Sequence, residues 1–190
     1  ITGITISPSQ ALRAQRLHAG NGFRGSDVIC GDFSLANLPQ SDLMYAVESL
    51  VHAQALEPLV ENIAASLNIG GELVICDDFL SRPYGQYKTH ERARIDCLKN
   101  GWQIPCLNTW ECFRDVLHGH GMELTHSEDW TPYLRLNRWR DKMLAVVMRL
   151  GSELPVEGAL WGSWKAGDAL RETLERGLTQ YRFGIWKKVR

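Results

Sequence analysis

"SDLMYAVESLVHAQALEPLVENIAASLNIGGELVICDDF", residues 41–79, changes its apolar period twice, and that change decides the fold. "SDLMYAV" is a short run of strand formers that gives out near Glu48. "LEPLVENIAASLNIGG" then carries apolar residues at helical spacing and closes on Asn68 and the Gly70-Gly71 pair, the usual stop signals of a helix. "ELVICDDF" is a near-continuous apolar run of strand length, the pattern of a strand buried on both faces. A strand, a helix and a second buried strand in succession make a parallel βαβ unit, and the chain is therefore read as α/β.

The same rhythm extends outward. Residues 1–6 are β-branched and alternating, Ser7 supplies a helix cap with Pro8 at the first helical position, and "SQALRAQRLHAG" continues as a helix ending in glycine. "SDVICGDF" is a further buried strand that stops at Gly31-Asp32, with a helix expected after each strand. Downstream, residues 80–108 are polar, aromatic-rich and too long for an ordinary connection, which predicts a lid inserted in the domain. Thr109 caps a helix over "WECFRDVLHGHG", and "MELTHSEDWTPYL" alternates like a strand. An amphipathic helix over 135–154 lies in a second insertion, about 134–166; "GDALRETLERGL" is another helix and "YRFGIWKKV" a last strand.

Bulk properties narrow the partners. With 44% hydrophobic and 23% charged residues and a net charge of −1, the chain describes a single domain of 190 residues without the basic excess that nucleic acid binding requires. No apolar run approaches the roughly 20 residues that span a bilayer, so no stable membrane insertion is expected. The five cysteines are odd in number and lack C-x-x-C spacing, which predicts reduced thiols in a cytoplasmic protein. Cys106, Cys112, His118 and His120 form a loose grouping, but zinc sites present tighter cysteine pairs and "HGH" reads as a helix end, so no metal is expected. A homo-oligomer is left open.

In an open parallel sheet ligands bind beyond the carboxyl ends of the strands. The residues there are Thr5, Ser7 and Gln10; Asp32 and Phe33; Val47, Glu48 and the following residues to His52; and Asp77 with Asp78. Each has a plain structural reading beside the functional one: Thr5 is a strand former, Asp32 a helix cap, and a lone histidine is ordinarily structural. Glu48 resists such a reading, because a carboxylate between "YAV" and "SLV" costs free energy unless it is paired or faces a cleft. His52 lies at i+4 from Glu48, so on a helix the two share a face. Of Asp77 and Asp78, only one is expected to point into the cleft.

The order of these segments resembles the class I S-adenosylmethionine-dependent methyltransferases, over essentially the whole chain, in the branch of the sterol and tocopherol C-methyltransferases and the cyclopropane fatty acid synthases. "GITISPSQ" resembles the stretch in which a Thr replaces the usual ribose-binding carboxylate, "GDF" the adenine-binding segment, and "SDLMYAVESLVHA" the segment with an acidic and a His position. The resemblance implies a Rossmann-like, doubly wound, mostly parallel sheet with an antiparallel last strand and a helical lid. It also implies S-adenosyl-L-methionine as cofactor, held by Thr5, Ser7, Gln10, Asp32, Phe33 and Val47, with Glu48 and His52 as catalytic groups. Asp78, Tyr84, Trp102 and Tyr133 are expected to line a pocket for a small-molecule acceptor.

One departure matters. The family's first strand and its Gly-rich loop are missing from these residues, and because that strand is central, two neighbours would face each other with unpaired backbone groups; an upstream segment is therefore expected. The leading expectation is methyl transfer to a small molecule, apolar or isoprenoid-like. Cyclopropane formation on a lipid and a non-catalytic relative that only binds ligand or partner are the alternatives.

Overall fold

The computed structural model describes residues 1–22, 25–136 and 159–190. Its strands are β1 (Thr2–Thr5), β2 (Asp27–Cys30), β3 (Ser41–Val47), β4 (Leu67–Leu80), β5 (Met122–Asp129) and β6 (Thr179–Lys188). The helices are α1 (Pro8–Gly20), α2 (Leu56–Ser66), α3 (Thr89–Trp102), α4 (Trp110–Gly119) and α5 (Ala159–Glu175), with 3-10 turns at Leu50–His52, Tyr84–Gln86 and Thr131–Tyr133. The helix expected over 135–154, and most of the insertion it belongs to, lie outside the described residues.

β1 and β2 pair in parallel, and a second sheet has the order β3-β4-β6-β5. β3 runs parallel to β4, whereas β6 is antiparallel to both β4 and β5, as the resemblance implied. β1 and β3 belong to different sheets, the division expected where the central strand between them is missing from these residues. On β3, Met44 packs into the core while the alternate residues Leu43, Tyr45 and Val47 are exposed.

Two local expectations are corrected. The helix over 56–71 stops at Ser66, because Leu67 already pairs with Ser41; the register then jumps to Leu43 opposite Glu72, and residues 68–71 bulge out with Gly70 at φ +84° and Asn68 donating to Asp42. No helix follows β2. The Asp32 side chain accepts from the Ser34 N–H at 2.8 Å, and its carbonyl from Leu35 and Ala36, so the chain closes a tight turn there.

The core forms where α2 and α4 cover one face of the larger sheet. Leu59, Val60 and Ile63 of α2 meet Leu73, Ile75 and Phe79 of β4, while Trp110, Phe113 and Leu117 of α4 close on Trp186 of β6. The Trp110 and Trp186 rings lie 5.0 Å apart, and Phe79 meets Trp110 edge-on at 5.1 Å. A second cluster sits past the carboxyl end of β4, where Tyr87, Ile95 and Leu98 pack on Leu80, Ala169 and Leu178. Residues 80–108, read as a polar insertion, thus contain α3, which crosses α5 closely at Gly101: a Cβ there would stand 2.5 Å from the Ala166 Cβ. Arg94 of α3 ties the pair electrostatically, bridging Asp168 at 3.0 Å and Glu172 at 2.6 Å.

Gly184 is what allows the aromatic layer to touch the sheet. A Cβ on it would come within 2.5 Å of the Trp110 ring and 2.6 Å of the Trp186 ring, neither of which has room to retreat. Gly184→Ala should therefore destabilise the fold by about 1–3 kcal/mol, read as a lowered midpoint of denaturant unfolding; an unchanged midpoint would show that this layer yields.

Candidate functional site

The carboxyl ends of the parallel strands bring the expected residues into two groups, the first on β1 and β2. At the end of β1 the Thr5 hydroxyl donates to Gln10 Oε1 at 2.7 Å and accepts from the Ser7 N–H at 3.2 Å. Ser7 Oγ caps α1 by accepting the Gln10 N–H at 3.4 Å, the role expected of Ser before Pro at a helix start. At the end of β2, one Asp32 oxygen serves the turn and Phe33 packs partly into the core. The Phe33 carbonyl is anchored by Asn62 of α2 at 2.7 Å.

The second group is built around Asp77. Alternation along β4 puts Asp77 on the face of Ile75 and Phe79, turned toward the backbone that leaves β3. Its Oδ2 accepts the N–H of Ser49 at 3.1 Å and of Leu50 at 2.8 Å, and its Oδ1 the N–H of Asp78 at 3.0 Å. Burial nevertheless pushes this carboxyl up to about 6 against the pull of those N–H groups.

The turn held in this way sets Glu48. Its φ is +49°, a left-handed value that a non-glycine residue rarely takes, and its N–H donates to the Cys76 carbonyl at 2.8 Å. The Glu48 side chain accepts from the Tyr181 hydroxyl of β6 at 2.9 Å. The expected Glu48–His52 pair on one helical face is not formed, because Glu48 precedes the 3-10 turn in a non-helical conformation. His52 is exposed at the end of that turn, with Nδ1 3.5 Å from the carbonyl of Gln103, the other non-glycine residue of positive φ among those described.

Asp78 occupies the opposite face of β4, across the ladder from Tyr181. It is buried, its carboxyl makes no hydrogen bond among the described residues, and burial together with the charges of Asp77 and Glu48 pushes it up to about 7. Of the other residues expected around an acceptor, Tyr84 donates its hydroxyl to Asp96 at 2.7 Å, Trp102 ends α3 partly exposed, and Tyr133 is exposed on its 3-10 turn. No hydrogen bond or ring contact joins Asp78, Tyr84, Trp102 and Tyr133 among the described residues. Tyr181 was not singled out from the sequence, where only its place at the start of the last alternating run marked it.

No protein-family profile matches the chain. It is 32% identical over 136 residues to O-methyltransferase rstn1 of Aspergillus nomiae, covering 68% of this chain and 56% of that protein. O-methyltransferase resE of Aspergillus sclerotiorum is 32% identical over 112 residues, or 55% of this chain and 42% of its own length. Sterol 24-C-methyltransferase of Yarrowia lipolytica is 24% identical over 183 residues, 94% of this chain but 43% of that enzyme. The chain thus spans about half the length of these relatives. In structure it resembles the O-methyltransferase of a Brevibacillus brevis trans-AT PKS multienzyme, solved with S-adenosyl-L-homocysteine (TM-score 0.77, 20% identity, 98% of this chain and 58% of that one). It also resembles geranyl diphosphate C-methyltransferase of Streptomyces coelicolor (TM-score 0.74, 15% identity, 99% and 63%). Among the described residues no helix is long and apolar enough to cross a membrane.

The electrostatics of Asp78 give a pH signature. Its folded value of about 7 lies above the 3.8 of a free carboxyl, so the folded state holds the proton more tightly and stability falls as pH rises between them. Asp78→Asn stays neutral throughout. Its thermal midpoint at pH 8 should exceed the wild type's by roughly 4–8 °C, the effect of about 2 kcal/mol in a domain of this size, and the gain should vanish near pH 4. A gain of equal size at both pH values would refute the assignment.

Proposed function

We propose, for a chain that belongs to the class I S-adenosylmethionine-dependent methyltransferases, that it transfers a methyl group from S-adenosylmethionine to a small, largely apolar acceptor, with Glu48 managing the charge that the transfer creates. The observation that carries this reading is a carboxylate presented at the carboxyl end of β3 on a strained backbone and held from the last strand. Its net charge of −1 and its free cysteines favour a small-molecule reaction in the cytoplasm over one on nucleic acid.

The groups at the strand ends fit the cofactor chemically. Thr5 and Gln10, already paired, offer a hydroxyl and an amide to ribose hydroxyls. Asp32 Oδ2 is outside the turn and suits an exocyclic amino group, with Phe33 next to it in the chain, and the exposed apolar side chain of Val47 at the end of β3 suits the adenine ring. Bound there, S-adenosylmethionine supplies an electrophilic methyl group on a sulfonium sulfur. Glu48 then takes the proton of an acceptor hydroxyl as the new oxygen–carbon bond forms, and His52 on the same turn is a second proton acceptor. Transfer of this kind needs alignment and exclusion of water more than covalent help. The pair α3–α5, with Tyr84 and Trp102, serves as the lid that provides both.

A carbon acceptor is the second reading, favoured by the sterol 24-C-methyltransferase that aligns along 94% of this chain. There Glu48 faces the positive charge left when an alkene is methylated and removes the proton that follows.

Calorimetric titration with S-adenosylhomocysteine should show saturable one-to-one binding. Glu48→Gln should keep that affinity within about threefold while lowering methyl transfer by roughly 10²–10⁴, the usual worth of a positioned base. Full turnover in Glu48→Gln would remove Glu48 from the reaction, and absence of binding would remove the cofactor.

A further inference from the structure

We propose that Tyr181 is a positioning residue for Glu48: its hydroxyl fixes one carboxylate oxygen so that the other is presented to the acceptor. The inference rests on the reading of Glu48 given above. Three observations carry it.

First, the contact joins groups 133 residues apart, Tyr181 donating to Glu48 Oε1 at 2.9 Å, and it ties the loop after β3 to the last strand. Second, the backbone of Tyr181 is itself held on both sides. Its N–H donates to the Thr131 hydroxyl at 2.8 Å, and its carbonyl accepts from the Trp130 N–H at 2.8 Å. Third, burial and its neighbours push the Tyr181 hydroxyl far above its ordinary range, so it stays a donor at every working pH and cannot itself be the base.

Glu48 has three side-chain torsions, and an unheld carboxylate beside an acceptor would sample many arrangements. The left-handed backbone at Glu48 aims the side chain, and the phenol removes the remaining freedom. Oε2 has no partner among the described residues. The bond from Tyr181 leaves that oxygen as the one to meet the acceptor's proton. No covalent step is added by this role; the proton moves from acceptor to Glu48 as before, and Tyr181 keeps its own.

The test combines a spectroscopic and a kinetic reading. In protein labelled with ¹³Cζ-tyrosine, one of the five tyrosine resonances is assigned by its loss in Tyr181→Phe, and it should move in Glu48→Gln. Tyr181→Phe should lower the rate of methyl transfer to 1-naphthol or geraniol by roughly ten- to a hundredfold, the worth of one hydrogen bond to a charged group. KM for S-adenosylmethionine and the thermal midpoint should stay close to wild type. In the Glu48→Gln background the same substitution should cost little more, because Tyr181 acts through Glu48. A Tyr181 resonance that ignores Glu48→Gln, or an equal loss in both backgrounds, would overturn the inference. If Glu48→Gln itself turned over normally while still binding S-adenosylhomocysteine, the role of Glu48 would fall, whatever the resonance showed.

Discussion

The buried carboxylate of Asp77 is the constraint on which the site depends. Its oxygens accept three backbone N–H groups, two of them from the turn that leaves β3, and so convert a strand end into a rigid corner. A left-handed residue costs about 1–2 kcal/mol when it carries a Cβ, and Glu48 adopts that conformation because the corner on one side and the Cys76 carbonyl on the other leave it no other path. Burying Asp77 works against its charge, and only the convergence of N–H donors makes the ionised form tolerable there. Strain and an awkward buried charge thus meet at one place, where a chain selected for stability alone would use glycine and an apolar residue.

The two hydrophobic clusters give that corner its surroundings. The aromatic layer of Trp110, Phe113, Phe79 and Trp186 holds β4 and β6 against α4, so Asp77, Asp78 and Tyr181 are displayed from a sheet that cannot shift. The second cluster binds α3 to α5 beyond the carboxyl end of β4. Gly101 lets the helices approach closely, and the Arg94 ion pairs, only partly buried, fix their register more than they stabilise them. The helix pair is therefore one body placed over the end of the sheet where the acidic groups lie.

Much of the fold was legible because its signals are local. The change of period across residues 41–79 identified β3, α2 and β4; Ser7-Pro8 marked the start of α1 and Thr109 that of α4; and "YRFGIWKKV" announced β6. The errors came where pairing between strands outweighed local preference. Gly70-Gly71 looks like a helix stop, yet Leu67 is already in register with Ser41, and the glycines only absorb the bulge. Residues 80–108 looked irregular because α3 hides its apolar positions, Ile95 and Leu98, among charges that it spends on α5. The division of the sheet between β1 and β3, by contrast, was legible, because the strand that would pair between them is missing from these residues.

For the site, the sequence by itself determined that polar groups collect at the strand ends and that Glu48 stands among apolar residues without a local partner. Tertiary structure alone decided what each does. Asp77 and Asp78 are neighbours of the same type, and the pleat that sends one to the turn and the other to the opposite face is settled only when β4 takes its register with β3 and β6. The spacing of Glu48 and His52 suggested a helical pair, but the corner made by Asp77 removed the helix. Tyr181 lies 133 residues beyond Glu48, and no rule of spacing reaches that far; its hydroxyl meets the carboxylate because the antiparallel last strand returns to the end of the sheet where β3 stops. Periodicity acts over a few residues, whereas a hydrogen bond needs two atoms within about 3 Å, and only the folded chain sets that distance.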